Sequence, residues 1–331
     1  MSKTTAISYH KDGSFTRPDS IFRNVVSRDP NAEFPAEPGR YALYVNVACP
    51  WAHRTLIIRK LKGLESLIDV YHVHPIAGPD GWYFSGQGDS PSEDPLHPGF
   101  TTLKQLYLKA DPTYIGRYTV PVLWDRKQDV MVNNESSEIL RMLASEFDHL
   151  LPETQREGNK PGGGLYPEHL RAEIDALSDQ IYHTLNNGVY KVGFAKSQEA
   201  YDANIGPLFS TLDELEARLE HKPYLHGESL TESDIRLYTT LARFDAAYNP
   251  VMMSTRKTIR HDYPRLHSWL RRLYWDVDGI FNNAFRGTTA PFSLYTQCYA
   301  NGRQKIVLGP DAPLIVPDLP GEEVLVPRLI A

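Results

Sequence analysis

The first half of the chain alternates between hydrophobic patterns typical of strands and patterns typical of helices. Strand-like runs are short and rich in β-branched and aromatic residues, whereas helix-like runs place apolar residues three and four apart. The predicted strands are 41–47 (YALYVNV), 69–76 (DVYHVHPI), 120–125 (VPVLWD) and 129–132 (DVMV). The predicted helices are 51–63, 102–110 and 136–147. Gly63 provides a C-terminal stop for the first helix.

The order of these elements predicts a small mixed sheet. A helix between the first two strands implies a parallel pair joined by a right-handed crossover. The last two strands are separated by a short polar turn and are expected to pair as an antiparallel hairpin. We therefore predict an α/β domain over residues 40–150, interrupted by a long loop at 77–100 that is rich in Gly, Pro, Ser and Asp. Loops of this length in compact domains are usually functional or disordered.

The second half has only helix-type periodicity. Leu170, Ile174, Leu177 and Ile181 follow helical spacing, and Thr231 with Asp234 resembles a capping box. We predict an all-helical domain over 166–290, after a Pro- and Gly-rich linker. Residues 1–39 are interpreted as an extended arm and not a folded unit, and 291–331 as an aperiodic tail packed on the surface.

Composition and charge exclude several classes of protein. The net charge of −6 comes without any Lys/Arg cluster of the size that nucleic acids need, so we expect no nucleic-acid partner. No apolar run approaches the roughly 20 residues that span a bilayer, and the polar N-terminus has no secretory h-region, so we expect no membrane association and a cytoplasmic protein. Two cysteines in 331 residues make no disulfide scaffold. No metal site is expected.

Cys49 is the strongest candidate for chemistry. It lies where the first predicted strand meets the first helix, and Pro50 suits the first helical position. The amides and dipole of a helix N-terminus favour an anion, and cysteines in such positions have pKa values lowered from about 8.5 to about 3.5–7.5. The position of a resolving cysteine three residues on is occupied by Ala52, so an external thiol must resolve any mixed disulfide. The alternative is a small buried hydrophobe.

Two further segments have features of a binding site. Val120-Pro121 opens a strand, and in this topology a cis proline there would present the backbone of Val120 to an extended, peptide-like ligand. Glu135 and Ser136 stand at the start of the third helix, a place suited to a carboxylate ligand. Simple helix capping explains the second feature equally well.

These segments, in this order and followed by a helical domain, resemble a glutathione transferase. The local amino-acid sequence resembles that of the Xi class, the glutathionyl-hydroquinone reductases. The resemblance covers most of residues 20–290. The segments that carry it are 49–54 (CPWAHR), Gly81-Trp82, 116–125 (GRYTVPVLWD), 133–140 (NNESSEIL), 186–195 (NNGVYKVGFA) and 230–245 (LTESDIRLYTTLARFD).

The resemblance implies a thioredoxin-like N-terminal domain, an all-α C-terminal domain and a homodimer. It implies that Cys49 attacks the sulfur of a glutathionyl-hydroquinone or other glutathionylated aromatic, and that a second glutathione, the co-substrate, releases the enzyme. Val120 would pair with the cysteinyl backbone of glutathione, Ser136 would hold the γ-glutamyl carboxylate, and Glu135 its ammonium. The full set of residues implied to bind glutathione is Trp82, Arg117, Val120, Pro121, Glu135 and Ser136.

On the aromatic side, Tyr190 matches a tyrosine of the family's substrate pocket. Its hydroxyl would bond the quinol oxygen or help to protonate the leaving carbon. The sequence of the tail differs from the motif of the family, so the second pocket tyrosine has no direct match. Tyr295 is the best candidate for it and Tyr299 is the alternative. Residues 246–260 also depart from the family, which bears on acceptor specificity. Two other functions stay open: an omega-like thiol transferase or dehydroascorbate reductase, and a non-enzymatic binding module.

Overall fold

The computed structural model of the protein describes residues 8–309 and 311–328. The chain divides into two units: a first unit, Asp19–Asn159, and a second unit made of residues 8–18 and the described residues from Lys160 onward. The strands are β1 Ser8–Tyr9, β2 Phe15–Thr16, β3 Tyr41–Val45, β4 Ile68–His72, β5 Val122–Asp125 and β6 Val130–Asn133. The helices are α1 Pro50–Leu61, α2 Leu103–Ala110, α3 Ser136–Ser145, α4 Arg171–Ile181, α5 Gly188–Gly193, α6 Gln198–Arg218, α7 Glu232–Arg243, α8 Ile259–Asp262, α9 Pro264–Tyr274, α10 Phe292–Val307 and α11 Glu322–Leu325.

A four-stranded sheet of order β4-β3-β5-β6 forms the centre of the first unit. The pair β3 and β4 is parallel, with Tyr41 opposite Ile68, and β5 and β6 are antiparallel neighbours. The predicted parallel pair and hairpin are therefore confirmed. Every residue of β3 is buried, as expected for a strand covered on both faces. Helices α1 and α3 pack against each other, and each fully buried Leu or Ile in this core contributes about 1.5–3 kcal/mol.

Residues 22–24 of the N-terminal arm continue this sheet beyond β6. Arg23 lies opposite Asn133 in an antiparallel bridge, and the Asn24 amide donates to the Val132 carbonyl over 3.0 Å. The Asn134 amide donates in turn to the Phe22 carbonyl, over 3.1 Å. This part of the arm is extended, as the sequence predicts, and its backbone hydrogen bonds cover the edge of the sheet at β6.

The second unit is helical from α4 to α11, apart from the small hairpin described below. Thr231 and Asp234 form the predicted capping box, in which the Asp234 carboxylate accepts hydrogen bonds from the amide and hydroxyl of Thr231, both 2.9 Å long. Two helices continue into π-helical turns, Tyr182–Asn186 after α4 and Phe244–Tyr248 after α7. Such turns are frequent at functional sites, because they redirect side chains that a regular helix would place elsewhere.

Two predictions about the ends of the chain are wrong in part. The arm contains a folded hairpin, β1 with β2, whose turn is closed by the Ser14 amide on the Asp12 carboxylate (2.9 Å) and by Gly13 at φ +85°. The tail contains α10, which extends the helical part to Val307. Its buried positions, Phe292, Tyr295, Thr296 and Ala300, follow helical spacing, but Thr and Ala carry too weak an apolar signal for periodicity to register.

Candidate active site

Cys49 is the N-cap residue of α1, as the strand-to-helix reading predicts. Its backbone is extended, at φ −76° and ψ 122°, while Pro50 occupies the first helical position. The Cys49 carbonyl already accepts from the His53 amide, over 3.0 Å. The first turn holds no acidic residue. The thiol therefore stands at the positive end of a twelve-residue helix without a nearby carboxylate on that turn to oppose an anion.

The loop before β5 brings a second element to Cys49. The peptide bond between Val120 and Pro121 is cis, and both residues are buried. The Cys49 thiol donates to the Val120 carbonyl, with Sγ and O 3.5 Å apart. The two segments that sequence reasoning linked only through topology are thus in contact through the thiol itself.

Glu135 and Ser136 open α3, and the structure shows capping at this site. The Glu135 carboxylate accepts from the Ser137 amide over 3.0 Å and from the Ser137 hydroxyl over 2.8 Å, and its second oxygen accepts from Ser20 over 3.2 Å. A carboxylate has about four lone-pair sites, so capping leaves acceptor capacity for a ligand ammonium. Ser136 is buried. Both readings of this motif, capping and ligand binding, therefore remain compatible with its geometry.

Arg54 adds a buried cation to this corner. Its guanidinium is 2% exposed, donates from Nη1 to the Ser136 hydroxyl over 3.3 Å, and lies 4.6 Å from the centre of the Trp51 ring. A buried arginine directed at a helix N-terminus makes that point suitable for a carboxylate, because guanidinium and carboxylate form strong charge-assisted hydrogen bonds.

Trp82 and Arg117 lie on loops of the first unit, and both side chains are partly exposed. The Trp82 carbonyl accepts from the Leu103 amide over 2.9 Å, which fixes the end of the long loop to α2. The Arg117 carbonyl accepts from the Tyr114 hydroxyl over 2.8 Å. Their backbones are therefore anchored, and their contacts with a ligand remain a prediction.

In the second unit three tyrosines from three elements meet through their hydroxyls. Tyr299 of α10 is the central member, at 2.8 Å from the Tyr190 hydroxyl and 2.9 Å from the Tyr248 hydroxyl. We refer to Tyr190, Tyr248 and Tyr299 as the tyrosine trio. Burial raises the pKa values of Tyr248 and Tyr299 well above the usual value, so both phenols stay protonated near neutral pH. Such a chain of phenols is able to donate and relay a proton.

Tyr295, the best sequence match for the second pocket tyrosine, is not part of the trio. Its fully buried hydroxyl accepts from the Ala290 amide over 2.9 Å, and the Arg243 guanidinium lies 4.1 Å from its ring centre. It is a packing residue in this geometry. The alternative, Tyr299, occupies the place beside Tyr190 that was expected of Tyr295.

Two arginines place positive charge around the trio. Arg243 is fully buried and donates to the Thr239 carbonyl over 2.7 Å; burial opposes its charge, but the surrounding tyrosines, Tyr295 first, leave its pKa raised. The Arg17 guanidinium lies 4.8 Å from the centre of the Tyr190 ring, and its Nε donates to Asn187 over 2.8 Å. Cations in these positions make a phenol a better hydrogen-bond donor.

Sequence reasoning missed Tyr248, Arg243 and Arg17, and the role of Arg54. No local signal marks them, because each looks like an ordinary helix or arm residue until distant segments come together.

The other cysteine, Cys298, has its pKa raised to about 12 by burial, which makes it a poor nucleophile. Among the described residues no three His, Cys, Asp or Glu side chains converge on a place that would hold a metal ion. In residues 8–309 and 311–328 no helix has the length and apolarity needed to cross a membrane.

The first unit, with its mixed sheet, its cysteine at the start of α1 and its cis proline before β5, has the thioredoxin-like fold, and the second unit is an all-helical domain. Family comparisons agree with this description. Residues 48–146 match the glutathione S-transferase N-terminal domain, and residues 198–272 match the glutathione S-transferase C-terminal domain.

Named relatives define the family more closely. The chain is 49% identical over 267 residues to glutathione S-transferase omega-like 2 of Schizosaccharomyces pombe, covering 80% of this chain and 83% of that protein. It is 48% identical over 291 residues to glutathionyl-hydroquinone reductase YqjG of Escherichia coli, covering 83% of this chain and 85% of that protein. The glutathione-bound structure of YqjG superposes with a TM-score of 0.77 at 43% identity, over 90% of this chain and 94% of that one.

A solved structure supplies the class. The glutathione-S-transferase Xi from Phanerochaete chrysosporium superposes with a TM-score of 0.85 at 48% identity, and the match covers 95% of each chain. The protein belongs to the glutathione S-transferase family, and within it to the Xi class.

Proposed function

We propose that this protein is a glutathione-dependent reductase that removes glutathione from glutathionyl-hydroquinones through a mixed disulfide on Cys49. The observation that carries the proposal is the position of this thiol: at the N-cap of α1, with Ala52 where a resolving cysteine would stand. A thiol in such a place accepts glutathione and needs an outside thiol to leave the mixed disulfide. The name of the Escherichia coli relative supports the same reaction.

In the first step the Cys49 thiolate attacks the sulfur that joins glutathione to the aromatic ring. A bond forms between Cys49 Sγ and the glutathione sulfur while the bond from that sulfur to the ring carbon breaks. The electron pair leaves with the carbon, which takes up a proton to give the free hydroquinone. The thiol is oxidised to a disulfide and the aromatic carbon is reduced.

In the second step a free glutathione thiolate attacks the glutathione sulfur of the mixed disulfide. Glutathione disulfide leaves and Cys49 returns as a thiolate. Splitting the reduction into two displacements at sulfur avoids a single difficult step. The step needs a continuous supply of reduced glutathione, and on this ground we propose a cytoplasmic location.

Glutathione is assigned to the Cys49 side of the first unit. The Val120 backbone would pair with the cysteinyl part of glutathione, as the contact between Sγ and the Val120 carbonyl (3.5 Å) supports. Ser136, backed by Arg54 at 3.3 Å, would take the γ-glutamyl carboxylate, and Glu135 the ammonium. Trp82, Pro121 and Arg117 would complete the binding surface. These roles follow the family resemblance. The buried Arg54 guanidinium beside Ser136 supports the proposed role of Ser136 in holding a carboxylate.

The hydroquinone ring is assigned to Tyr190 and Tyr299. This pair of phenols, of which burial raises the pKa of Tyr299 well above its usual value, would offer a donor to the quinol oxygen and a proton for the leaving carbon. The choice of Tyr299 over Tyr295 rests on its bond to Tyr190.

We also propose a homodimer. The neighbouring side chains Leu314, Ile315 and Val316 are exposed, and adjacent apolar side chains at a surface favour association. Light scattering of the purified protein tests this assembly.

The function is tested with a panel of acceptors. The protein is incubated with glutathione and glutathionyl-menadiol, and the release of menadiol is followed by chromatography; the same preparation is then given dehydroascorbate. We expect menadiol release and an equal yield of glutathione disulfide. Reduction of dehydroascorbate alone would establish the omega-like activity instead, which the name of the Schizosaccharomyces pombe relative favours. Turnover of neither compound would leave the binding module as the function.

The state of the thiol is measured separately. Alkylation of Cys49 by iodoacetamide is followed against pH, with peptide mass spectrometry to assign the site. We expect a midpoint below the free-thiol value of about 8.5, because the helix N-terminus stabilises the thiolate. A midpoint at or above that value would remove the basis for an activated nucleophile.

A further inference from the structure

Four aromatic side chains of the first unit form a compact group beneath the loop that leads to β5. We call this group, Phe22, Tyr107, Tyr114 and Tyr118, the aromatic cluster. Tyr107 is its centre, with ring centroids 5.8 Å from Phe22, 5.0 Å from Tyr114 and 5.6 Å from Tyr118. It is also fully buried. The cluster therefore joins the arm, helix α2 and the loop before the cis proline.

The hydroxyl of Tyr107 uses its full hydrogen-bonding capacity. It donates to the Thr119 carbonyl over 2.9 Å and accepts from the Thr119 amide over 3.2 Å. It also accepts from the Asn134 side-chain amide over 3.0 Å. The Thr119 hydroxyl lies 3.1 Å from the same oxygen as a fourth contact. A phenol offers one donor and two acceptor sites, so these contacts satisfy it. One buried oxygen atom thus connects Thr119 to Asn134.

Each of these two partners immediately precedes a residue assigned to glutathione. Thr119 precedes Val120, whose carbonyl meets the Cys49 thiol, and Asn134 precedes Glu135 and Ser136. Asn134 is itself buried, and its side-chain oxygen accepts from the Phe22 amide over 3.3 Å. The Ser20 hydroxyl reaches the Asn134 carbonyl over 3.1 Å and the Glu135 carboxylate over 3.2 Å. The arm thereby supports the same corner.

We propose that Tyr107 is a positioning residue that sets the distance between the two halves of the glutathione site, through the single hydroxyl that bonds both Thr119 and Asn134. The inference deepens the proposed function and rests on it for the assignment of Val120, Glu135 and Ser136 to glutathione. Tyr107 is fully buried and acts through Thr119 and Asn134. Its effect is on binding geometry and not on the ionisation of Cys49.

The hydroxyl, and not the ring, carries the effect. Replacing Tyr107 with phenylalanine keeps the ring contacts but leaves the Thr119 amide and the Asn134 amide without this partner. Buried polar groups that lose a partner rearrange or draw in water, because leaving them unsatisfied is unfavourable. The loop with Val120 and the start of α3 would then be free to move apart by a fraction of an ångström.

A matched pair of variants tests this idea. Tyr107→Phe removes the bridging hydroxyl, and Tyr118→Phe removes a hydroxyl of the same cluster that makes no hydrogen bond within residues 8–309 and 311–328. Binding of S-methylglutathione, which has no free thiol, is measured by calorimetry for the wild type and both variants. We expect binding to weaken about tenfold in Tyr107→Phe, the change that loss of roughly one buried hydrogen bond produces, and to be unchanged in Tyr118→Phe.

Kinetics separate positioning from a general loss of structure. In Tyr107→Phe we expect KM for glutathione to rise by a similar factor while kcat with glutathionyl-menadiol and the pH midpoint of Cys49 alkylation stay at the wild-type values. Equal binding by wild type and Tyr107→Phe would overturn the proposal. Equal weakening by both variants would overturn it as well, since a hydroxyl that bridges no residues would then have the same effect as the one on Tyr107.

If Tyr107→Phe does not fold, Asn134→Ala cuts the same bridge from its other end. It must weaken S-methylglutathione binding by at least the same factor, and unchanged binding overturns the proposal. Failure of the positioning role of Tyr107 can also be distinguished from failure of the proposed reductase function. A wild type that binds S-methylglutathione but releases no menadiol refutes the reductase and leaves the positioning role standing; a wild type that binds none refutes both.

Discussion

The region around Cys49 in the first unit and the tyrosine trio in the second unit are built in different ways. Around Cys49 the functional groups stand at element ends: a helix N-cap, a loop before a strand and a second helix N-terminus. In the trio three phenols from three separate elements bond to one another directly. Chemistry that is fixed by helix ends leaves a local mark on the sequence, whereas a cluster of side chains does not.

The largest expected effect tests the first region. In Cys49→Ser we expect menadiol release to fall at least about 10³-fold, because a serine hydroxyl is not ionised near neutral pH and forms no disulfide. The control is Cys298→Ser, which removes the other thiol, whose pKa is raised to about 12, and should leave the rate as it is. Comparable release by wild type and Cys49→Ser would show that the chemistry does not pass through this residue.

A smaller effect is expected at the start of α3. Glu135→Gln keeps an oxygen that caps Ser137 but removes the charge proposed to meet the glutathione ammonium. Hydrogen bonds to charged groups contribute about 1.5–3 kcal/mol, so we expect KM for glutathione to rise about 10- to 100-fold, with kcat at saturation changed much less.

The matched control for this change is Glu138→Gln, on the same helix. Glu138 bonds Arg23 and the Asn133 side chain, and the pKa of its carboxyl is lowered first by Arg23. It should alter stability and leave KM for glutathione unchanged. If both variants raise KM equally, the charge at Glu135 has no specific role.

The trio is tested by comparing two tyrosines one helical turn apart. We expect Tyr299→Phe to lower kcat about tenfold, since it interrupts the hydroxyl chain from Tyr248 to Tyr190 at its centre. Tyr295→Phe loses only its bond to the Ala290 amide and should lower the unfolding free energy by about 1 kcal/mol with kcat unchanged. The opposite pattern, with kcat affected by Tyr295 alone, would return the assignment to the residue that sequence favoured.

The smallest effect concerns alkaline stability. Burial raises the pKa values of Tyr248 and Tyr299 above those in the unfolded chain, which are about 10. Above that pH the unfolded chain binds fewer protons than the folded one, so stability is present below about pH 10 and is lost as the pH rises. Urea unfolding measured at a series of alkaline pH values should show this fall, and Tyr248→Phe should make it shallower. An identical fall in the variant would contradict the assignment.

Much of the first unit is predictable from sequence because its signals are local. The strand, the Cys-Pro junction and the helix are contiguous from Tyr41 to Leu61, and the parallel pair with its crossover follows from element order. The capping box at Thr231 is equally local. These features depend on neighbours within one or two turns, which a sequence displays directly.

The rest depends on contacts that the sequence does not display. Tyr295 and Tyr299 are four residues apart on α10 and therefore lie on the same face of the helix, so their spacing alone does not reveal which of them meets Tyr190. Tyr107 lies on the apolar side of α2 and reads as a core residue, although Asn134, its partner, is 27 residues away. The Asp12-Gly13 pair of the arm is a local hairpin signal, and the interpretation of residues 1–39 as an extended arm does not use it.

The pairing of residues 22–24 along β6 has a consequence for handling the protein. With β6 at the margin of the four-stranded sheet, the arm occupies the backbone groups that would otherwise face solvent. A chain shortened to begin after Asn24 would leave the unpaired backbone groups of β6 exposed to other protein molecules. Open strand edges recruit other chains into intermolecular sheets. Aggregation on storage, and not only loss of activity, is therefore the outcome to expect when the first two dozen residues are removed.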